Sequence, residues 1–327
     1  MFFLSLSTFI SGSNGAFLRV TSNYFRDLQV ARLGIISSIF GGMLMGIGFS
    51  LSGSCPMTIW SQVGAMVPNS MFVVYGACVG TLIYCLITPL RKHLETSESS
   101  PTNPYKSGNY AGLSLPLAVM FGMLVVAFEM LSSWRQELSV YKARNTRAPT
   151  VFHMRAWPPY AAGVCVGVFQ VLHMFSVDTL MGCSKNLTII CSKLLRKTPL
   201  GKLCQERQRF NTWFDAVWPI VFTIFIAGGS YYSASLSNSF QIVKGVKASD
   251  AFIGGIFLFL GARIAGGCTM GHGLSGLSLL SILSLITIGS TYSFAMMSAY
   301  YWDWRKKFSI GERDQGRLID LLQNWIL

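Results

Sequence analysis

Long stretches without a charged side chain divide this chain of 327 residues. The longest runs from Leu33 to Leu90, and others cover Ser107–Phe128, Ala216–Val243 and Ile264–Trp302, where only His272 can titrate. A helix needs about 20 predominantly apolar residues to cross a bilayer core. The longest runs exceed one crossing, so each predicts at least one membrane span together with a further segment.

The runs predict about eight or nine transmembrane helices joined by polar connectors. The expected spans are Leu33–Ser52, Met71–Pro89, Tyr110–Leu131, Ala161–Val177, Trp218–Leu236, Ala251–Ala265, one that ends at Trp302, and a short apolar stretch at Met1–Ile10. Asp178–Ser192 is too short for a span. Asp303–Leu327 has mixed charge with apolar residues at helical spacing, which predicts a surface helix.

The composition agrees with a membrane protein and excludes two other classes. Charged residues make up 12% of the chain, hydrophobic residues 51%, and the mean hydropathy is +0.47. A soluble protein has about 25% charged residues, and a disordered chain needs low hydrophobicity. We therefore predict an all-α, multi-pass integral membrane protein, most simply of the cell membrane.

The net charge of +13 comes from connecting segments. Lys and Arg are concentrated in Arg135–Arg155 and Lys193–Arg209, which is typical of cytoplasmic loops and does not require nucleic acid as a partner. It also favours, weakly, an anionic cargo. The eight cysteines form no Cys-x-x-Cys motif, and the four histidines are too few and scattered to predict a metal site.

One pattern occurs twice in the chain, 213 residues apart and without a gap. The matched residues are Gly41-Gly42 and Gly254-Gly255, Gly48 and Gly261, Gly53 and Gly266, Cys55 and Cys268, and Met57 and Met270. The repeat predicts two related halves, at about 1–131 and 157–302, separated by a basic loop at 132–156 and followed by the tail at 303–327. Transporters are often built in this way, with the substrate site where the repeats meet.

Each copy of the pattern interrupts an apolar helix with small residues around a cysteine. Irregular backbone at membrane depth must be buried in protein or line a cavity. A short re-entrant helix that restarts beyond Cys55 or Cys268 would direct free N–H groups toward the cysteine, which suits an anion. The small residues concerned include Gly53, Gly266, Gly267, Gly271 and Gly273. The alternative is that the glycines serve close helix packing and the cysteines fill space.

Four further residues are weaker candidates for the same path. Cys183 lies in a small polar break beside Lys185. Gln62 follows Cys55 in the charge-free run, where it could line the path or cap a helix. Arg263 could attract an anion, could extend to a headgroup, or could tie down a broken helix. His272 could act with Cys268 as a nucleophilic pair, or it could be a hydrogen-bonded structural residue.

These motifs resemble a known family. The segment Gly261–Gly276 is similar to the signature of the YeeE/YedE family of sulphur transport proteins, Leu51–Ala65 resembles the motif of its first half, and Gly163–Ser184 resembles, more loosely, the start of its second half. The resemblance implies pseudo-symmetric halves with re-entrant helices, and cysteines that pass thiosulfate along by transient hydrogen bonds. It also suggests a partner that accepts sulphur on the inner side, and it implies no cofactor.

The chain departs from the family at two places. Residues 1–54 contain no cysteine, although bacterial members commonly have a functional one near the N-terminus, and Met270 stands where a small residue is expected. The motifs and the family resemblance together lead to the hypothesis that the chain transports thiosulfate or a related sulphur oxyanion. The rivals are a sulphur-transfer enzyme with Cys268 as nucleophile and His272 as base, and a scaffold protein in which neither cysteine matters.

Overall fold

The computed structural model describes residues 35–92, 110–131, 157, 159–177, 184–194, 213–241, 245–277 and 281–302. Within those ranges the chain is helical and contains no β-strand. The stretch Met1–Ile10, the tail Asp303–Leu327, Cys183 and most of the basic connectors lie outside the described residues. What the sequence predicts for them stays a prediction.

The helices fall where the apolar runs predict them. In chain order they are α1 (Ile35–Ser52), α2 (Thr58–Gly64), α3 (Ser70–Lys92), α4 (Tyr110–Leu131), α5 (Pro159–Val177), α6 (Ser184–Leu194), α7 (Trp213–Leu236), α8 (Ala248–Ile264), a π-helix (Gly271–Gly276) and α9 (Ile282–Trp302). The largest difference is at α7, which begins more than a turn before the predicted start at Trp218. The helix includes Asp215, a charged residue that lies directly before the charge-free run.

Four helices of the described chain are long and apolar enough to cross a membrane: α1, the Ser70–Ile87 part of α3, the Val217–Leu236 part of α7, and α9. Large apolar side chains are exposed on the outer surface of the described helices, among them Ile36, Met130 and Tyr300. An exposed apolar surface of this extent is stable in lipid and not in water. The protein is therefore an integral membrane protein.

Helices α1 and α8 pack against each other in opposite directions through glycines. A Cβ atom built on Gly41 would lie 2.5 Å from the backbone nitrogen of Ala265, and one built on Gly254 would lie 2.7 Å from the nitrogen of Ser52. No side chain fits at these distances, so the glycines allow the two backbones to approach closely. Residue numbers along α1 increase from 41 to 52, while the numbers of the facing residues decrease from 265 to 254. The two helices are therefore antiparallel.

A second set of glycine contacts attaches the outer helices to this pair. Gly42 of α1 faces Thr287 and Ser290 of α9, and Gly255 of α8 faces Val73 and Ala77 of α3. Ala77 and Ser290 are themselves 213 residues apart, as are Gly42 and Gly255. One contact of each glycine is therefore related to a contact of the other by the repeat spacing.

The interior is an apolar cluster that contains parts of both regions carrying the repeated motif. We call it the central cluster; its buried members are Met45, Ala77, Leu187, Phe222, Leu258, Phe259, Ala262, Ala265, Cys268 and Met270. Partly buried side chains pack on it, including Met57 and Trp60 from the segment that follows Cys55. The two segments that carry the cysteines are thus anchored in one core.

Candidate functional site

The first candidate segment begins where α1 ends. Gly53 adopts a left-handed conformation with φ of +62°, and its N–H donates to the carbonyl of Phe49 at 2.9 Å. Such a residue ends a helix, and glycine is favoured there because it has no Cβ to strain. The chain then passes through Cys55 and restarts as α2 at Thr58. The predicted interruption and restart are both present.

Cys55 is held at the start of α2 by a reciprocal pair of hydrogen bonds. Its sulphur accepts the N–H of Thr58 at 3.4 Å, and its own N–H donates to Oγ1 of Thr58 at 2.7 Å. The two bonds fix the turn that leads into α2, whose N-cap residue is Met57. Gln62 closes the loop, since its Nε2 donates to the carbonyl of Gly53 at 2.9 Å. The Cys55 side chain is half-buried.

The second candidate segment has a similar turn and a similar cysteine contact at the matched positions. After α8 the chain turns at Gly266, with φ of +78°, and the N–H of Gly267 donates to the carbonyl of Ala262 at 2.9 Å. The sulphur of Cys268 accepts the N–H of Gly271 at 3.4 Å, where the π-helix begins. The contact is the counterpart of the one between Cys55 and Thr58. Unlike Cys55, the Cys268 side chain is fully buried.

In each of these two contacts the sulphur acts as an acceptor. The contact does not use the S–H hydrogen of the thiol, which is a weak donor. A neutral thiol in this position is oriented by the backbone N–H without using its own hydrogen in that contact. A thiolate in the same place would repel an anion.

His272 ties the second segment to its surroundings. Its Nε2 lies 3.1 Å from the carbonyl oxygen of Ala265 and its Nδ1 lies 3.0 Å from Oγ of Ser284. A carbonyl can only accept, so Nε2 carries the proton and Nδ1 accepts from the serine hydroxyl. A Cβ built on Gly267 would lie 2.8 Å from Nε2, so glycine leaves room for the ring. Both nitrogens are engaged, as in the structural interpretation of this histidine.

The other predicted residues are placed as follows. Arg263 lies in the last turn of α8, half-buried, with its guanidinium carbon 5.5 Å from the centre of the Tyr84 ring. A cation is stabilised over an aromatic face at this distance. Gly273 faces Ile288 of α9, where a Cβ would lie 3.3 Å from its Cδ1. Among the described residues no three His, Cys, Asp or Glu side chains form a metal-binding group.

Polar pairs that involve α5, α6, α7 and the π-helix, some buried and one partly buried, are a feature that the apolar runs do not predict. Asn186 donates to Thr223, and Nε1 of Trp218 donates to His173 at 2.8 Å. Gln170, which the family resemblance did include, donates to Ser275 at 3.3 Å. The spacing of Gln170 and His173 on one face of an apolar helix is the sequence signal that could have predicted the group.

Comparisons with known proteins agree on one kind of protein. The profile described as "Sulphur transport", which corresponds to the YeeE/YedE family, matches residues 2–293. The chain is 21% identical over 255 residues to the "Thiosulfate transporter TsuA" of Escherichia coli K12, which covers 73% of this chain and 66% of that protein. It is 24% identical over 266 residues to the "Thiosulfate transporter TsuA" of Spirochaeta thermophila, which covers 77% of this chain and 73% of that protein.

Proposed function

The chain belongs to the sulphur transport family, and from that premise we propose that it carries thiosulfate across a cell membrane. The names of both relatives support this cargo. The net charge of +13 favours an anion. A sulphur-accepting protein on the inner side would remove the cargo after its passage.

We propose that Cys55 and Cys268 are two stations on the path. The observation that carries this is the matched geometry of the two segments, in which each sulphur accepts the N–H of the residue three positions later. The neutral thiols would hydrogen-bond the anion in turn and release it, because a thiol is a weak donor without fixed charge. The hydrogen bond from Gln62 to Gly53 would stabilise the conformation of the first loop. Cys183 would be a third station on the path.

The antiparallel packing of α1 and α8 supports halves of inverted topology. Equivalent helices that run in opposite directions are related by an axis in the membrane plane, as in many transporters. Ser52 is level with Gly254, whereas Ala265 is level with Gly41. The difference of 11 positions between Gly41 and Ser52 corresponds to about 16 Å along α1 at 1.5 Å per residue. The two cysteine segments would then serve different depths of the membrane.

Uptake into proteoliposomes tests this function. Purified protein should accumulate radiolabelled thiosulfate saturably, with competition by unlabelled thiosulfate exceeding that by sulfate. A hydrogen bond to a charged group contributes about 1.5–3 kcal/mol, so Cys55→Ala and Cys268→Ala should each reduce uptake about tenfold or more. Cys165→Ala, at an exposed position on α5, is the matched control and should retain uptake. Normal uptake in both path variants would refute the two stations.

The sulphur-transfer enzyme is the weaker hypothesis. It requires His272 to take the proton of Cys268, but both ring nitrogens are engaged, with Ser284 and Ala265. A mass gain of one sulphur atom on Cys268 after exposure to thiosulfate would favour the enzyme.

A further inference from the structure

One side-chain donor in the first candidate segment is buried without a partner. Trp60 lies on α2, five residues after Cys55. Its Nε1 is shielded from solvent and has no hydrogen-bond partner among the residues that the structure describes. An indole N–H can only donate, and a buried tryptophan usually has an acceptor for it. An unpaired buried donor lowers the stability of the fold, so its position needs a physical reason.

The side chains around Trp60 offer the indole no strong acceptor. Trp60 packs against the central cluster and against a second apolar cluster, formed by Ile59, Val73 and Ala251. The buried members of both clusters carry apolar side chains, and the thiol of Cys268 is the exception. Trp60 therefore belongs to the segment that follows Cys55 and packs on the cluster that contains the other cysteine.

Helix α2 is attached to α7 directly beside Trp60. The hydroxyl of Ser61 donates to Oγ of Ser230 at 3.1 Å, and the hydroxyl of Ser230 donates to the carbonyl of Ser61 at 2.7 Å. Further along α2, Gly64 faces the carbonyl of Ala227, where a Cβ would not fit. The residue after Trp60 is thus fixed by two hydrogen bonds, which keeps the donor in place before any cargo arrives.

We propose that Trp60 is a cargo-binding residue, whose indole N–H donates to the anion as it passes between Cys55 and Cys268. The inference rests on the proposed function for the identity of the cargo: the oxygens and the terminal sulphur of thiosulfate only accept hydrogen bonds. A donor without a partner gains one when the anion arrives, and a hydrogen bond to a charged group is stronger than one between neutral groups. Like the thiols, the indole carries no fixed charge, so the anion can leave again.

Replacing the N–H group separates binding from packing. Benzothienylalanine, introduced in place of Trp60 by amber suppression, keeps the shape of tryptophan and has sulphur where the indole has N–H. Trp60→Phe is the simpler variant and also removes the donor. Trp218→Phe is the matched control, because Trp218 packs on the same central cluster but its N–H already donates to His173 at 2.8 Å.

Equilibrium binding of radiolabelled thiosulfate to the purified protein in detergent gives the dissociation constant, and thermal unfolding without thiosulfate gives the stability. Benzothienylalanine and Trp60→Phe should each weaken binding about tenfold, because a hydrogen bond to a charged group is lost. The benzothienyl protein should unfold at the same temperature as the wild type or higher, since it lacks the unpaired donor. Trp218→Phe should unfold at a lower temperature, because His173 loses its partner, with an unchanged dissociation constant.

Two results would overturn the inference while the wild type binds thiosulfate. One is an unchanged dissociation constant in the benzothienyl protein. The other is an equal loss of binding in Trp218→Phe, which would make the effect a general one of the cluster. If the folded wild type does not bind thiosulfate, the proposed cargo is refuted and the inference fails with it, a result that is read from the wild type alone.

Discussion

At the scale of single residues, Gly53 and Gly266 determine where the two helices end. Both adopt positive φ, of +62° and +78°, a conformation that strains every residue with a Cβ. They occupy matched positions of the repeat, each two residues before a cysteine. The direction in which each cysteine segment leaves its helix therefore depends on one backbone conformation.

Replacing Gly53 isolates this conformational effect. A Cβ at this position would meet no atom within 4 Å, so Gly53→Ala adds strain without a clash. We expect a loss of about 1–2 kcal/mol in the free energy of unfolding, and a smaller loss for Gly53→Asn, because asparagine tolerates this conformation better. Thermal unfolding in detergent measures both. Gly122→Ala, inside α4 and also in open space, is the control; equal losses at the two sites would contradict the prediction.

The candidate site was predictable at residue scale only where the signal is local. The interruptions around Cys55 and Cys268 follow from small residues in apolar runs, and both are present. The contact between Arg263 and Tyr84 was not predictable, because Tyr84 lies on α3, far from Arg263 in the sequence, and no local pattern pairs it with α8.

At the scale of elements, glycines determine how closely α1 and α8 approach. Gly41 contacts Ala265, and the matched Gly254 contacts Ser52, which is itself 213 residues before Ala265. The spacing of these glycines in the sequence indicates a repeat and leaves open whether they serve packing. In the structure these glycines have a packing role. Whether the cysteines that follow them take part in transport is a separate question, which uptake assays decide.

The two contacts should respond alike to substitution. Gly41→Ala and Gly254→Ala each place a Cβ within 3 Å of the facing backbone, so each should cost about 1–3 kcal/mol of stability through overpacking. Gly289→Ala on α9 meets no atom within 4 Å and should be neutral or stabilising, since alanine favours a helix. Thermal unfolding of the three variants in one detergent checks this. A large loss at one contact and none at the other would argue against equivalent contacts.

At the scale of the whole molecule, the part of the fold that the sequence predicted is the four candidate spans of the described residues. Apolar length alone located α1, α3, α7 and α9, because a bilayer sets the length of a helix. The direction of one half relative to the other was not predictable from an offset of 213 residues, since parallel and inverted repeats share the same sequence pattern. The antiparallel contacts of α1 and α8 favour the inverted arrangement.

The proposed inverted arrangement of the two halves predicts that the two cysteines are reached from opposite sides of the membrane. In variants that keep either Cys55 or Cys268 as the sole cysteine, a membrane-impermeant charged thiol reagent should reach Cys55 from one side of the vesicle and Cys268 from the other. The half-buried Cys55 should react faster than the fully buried Cys268, whose labelling depends on opening during transport. Thiosulfate should slow both reactions, because the anion would occupy the same path.

Right-side-out and inside-out vesicles of each variant, labelled under identical conditions and read by mass, make the comparison. A variant with every cysteine replaced gives the background. Parallel halves would expose the two matched cysteines to the same side, because their segments would then sit at one depth. Labelling of both cysteines from a single side would therefore contradict the inverted arrangement, and it would leave the thiosulfate protection as an independent test of the path.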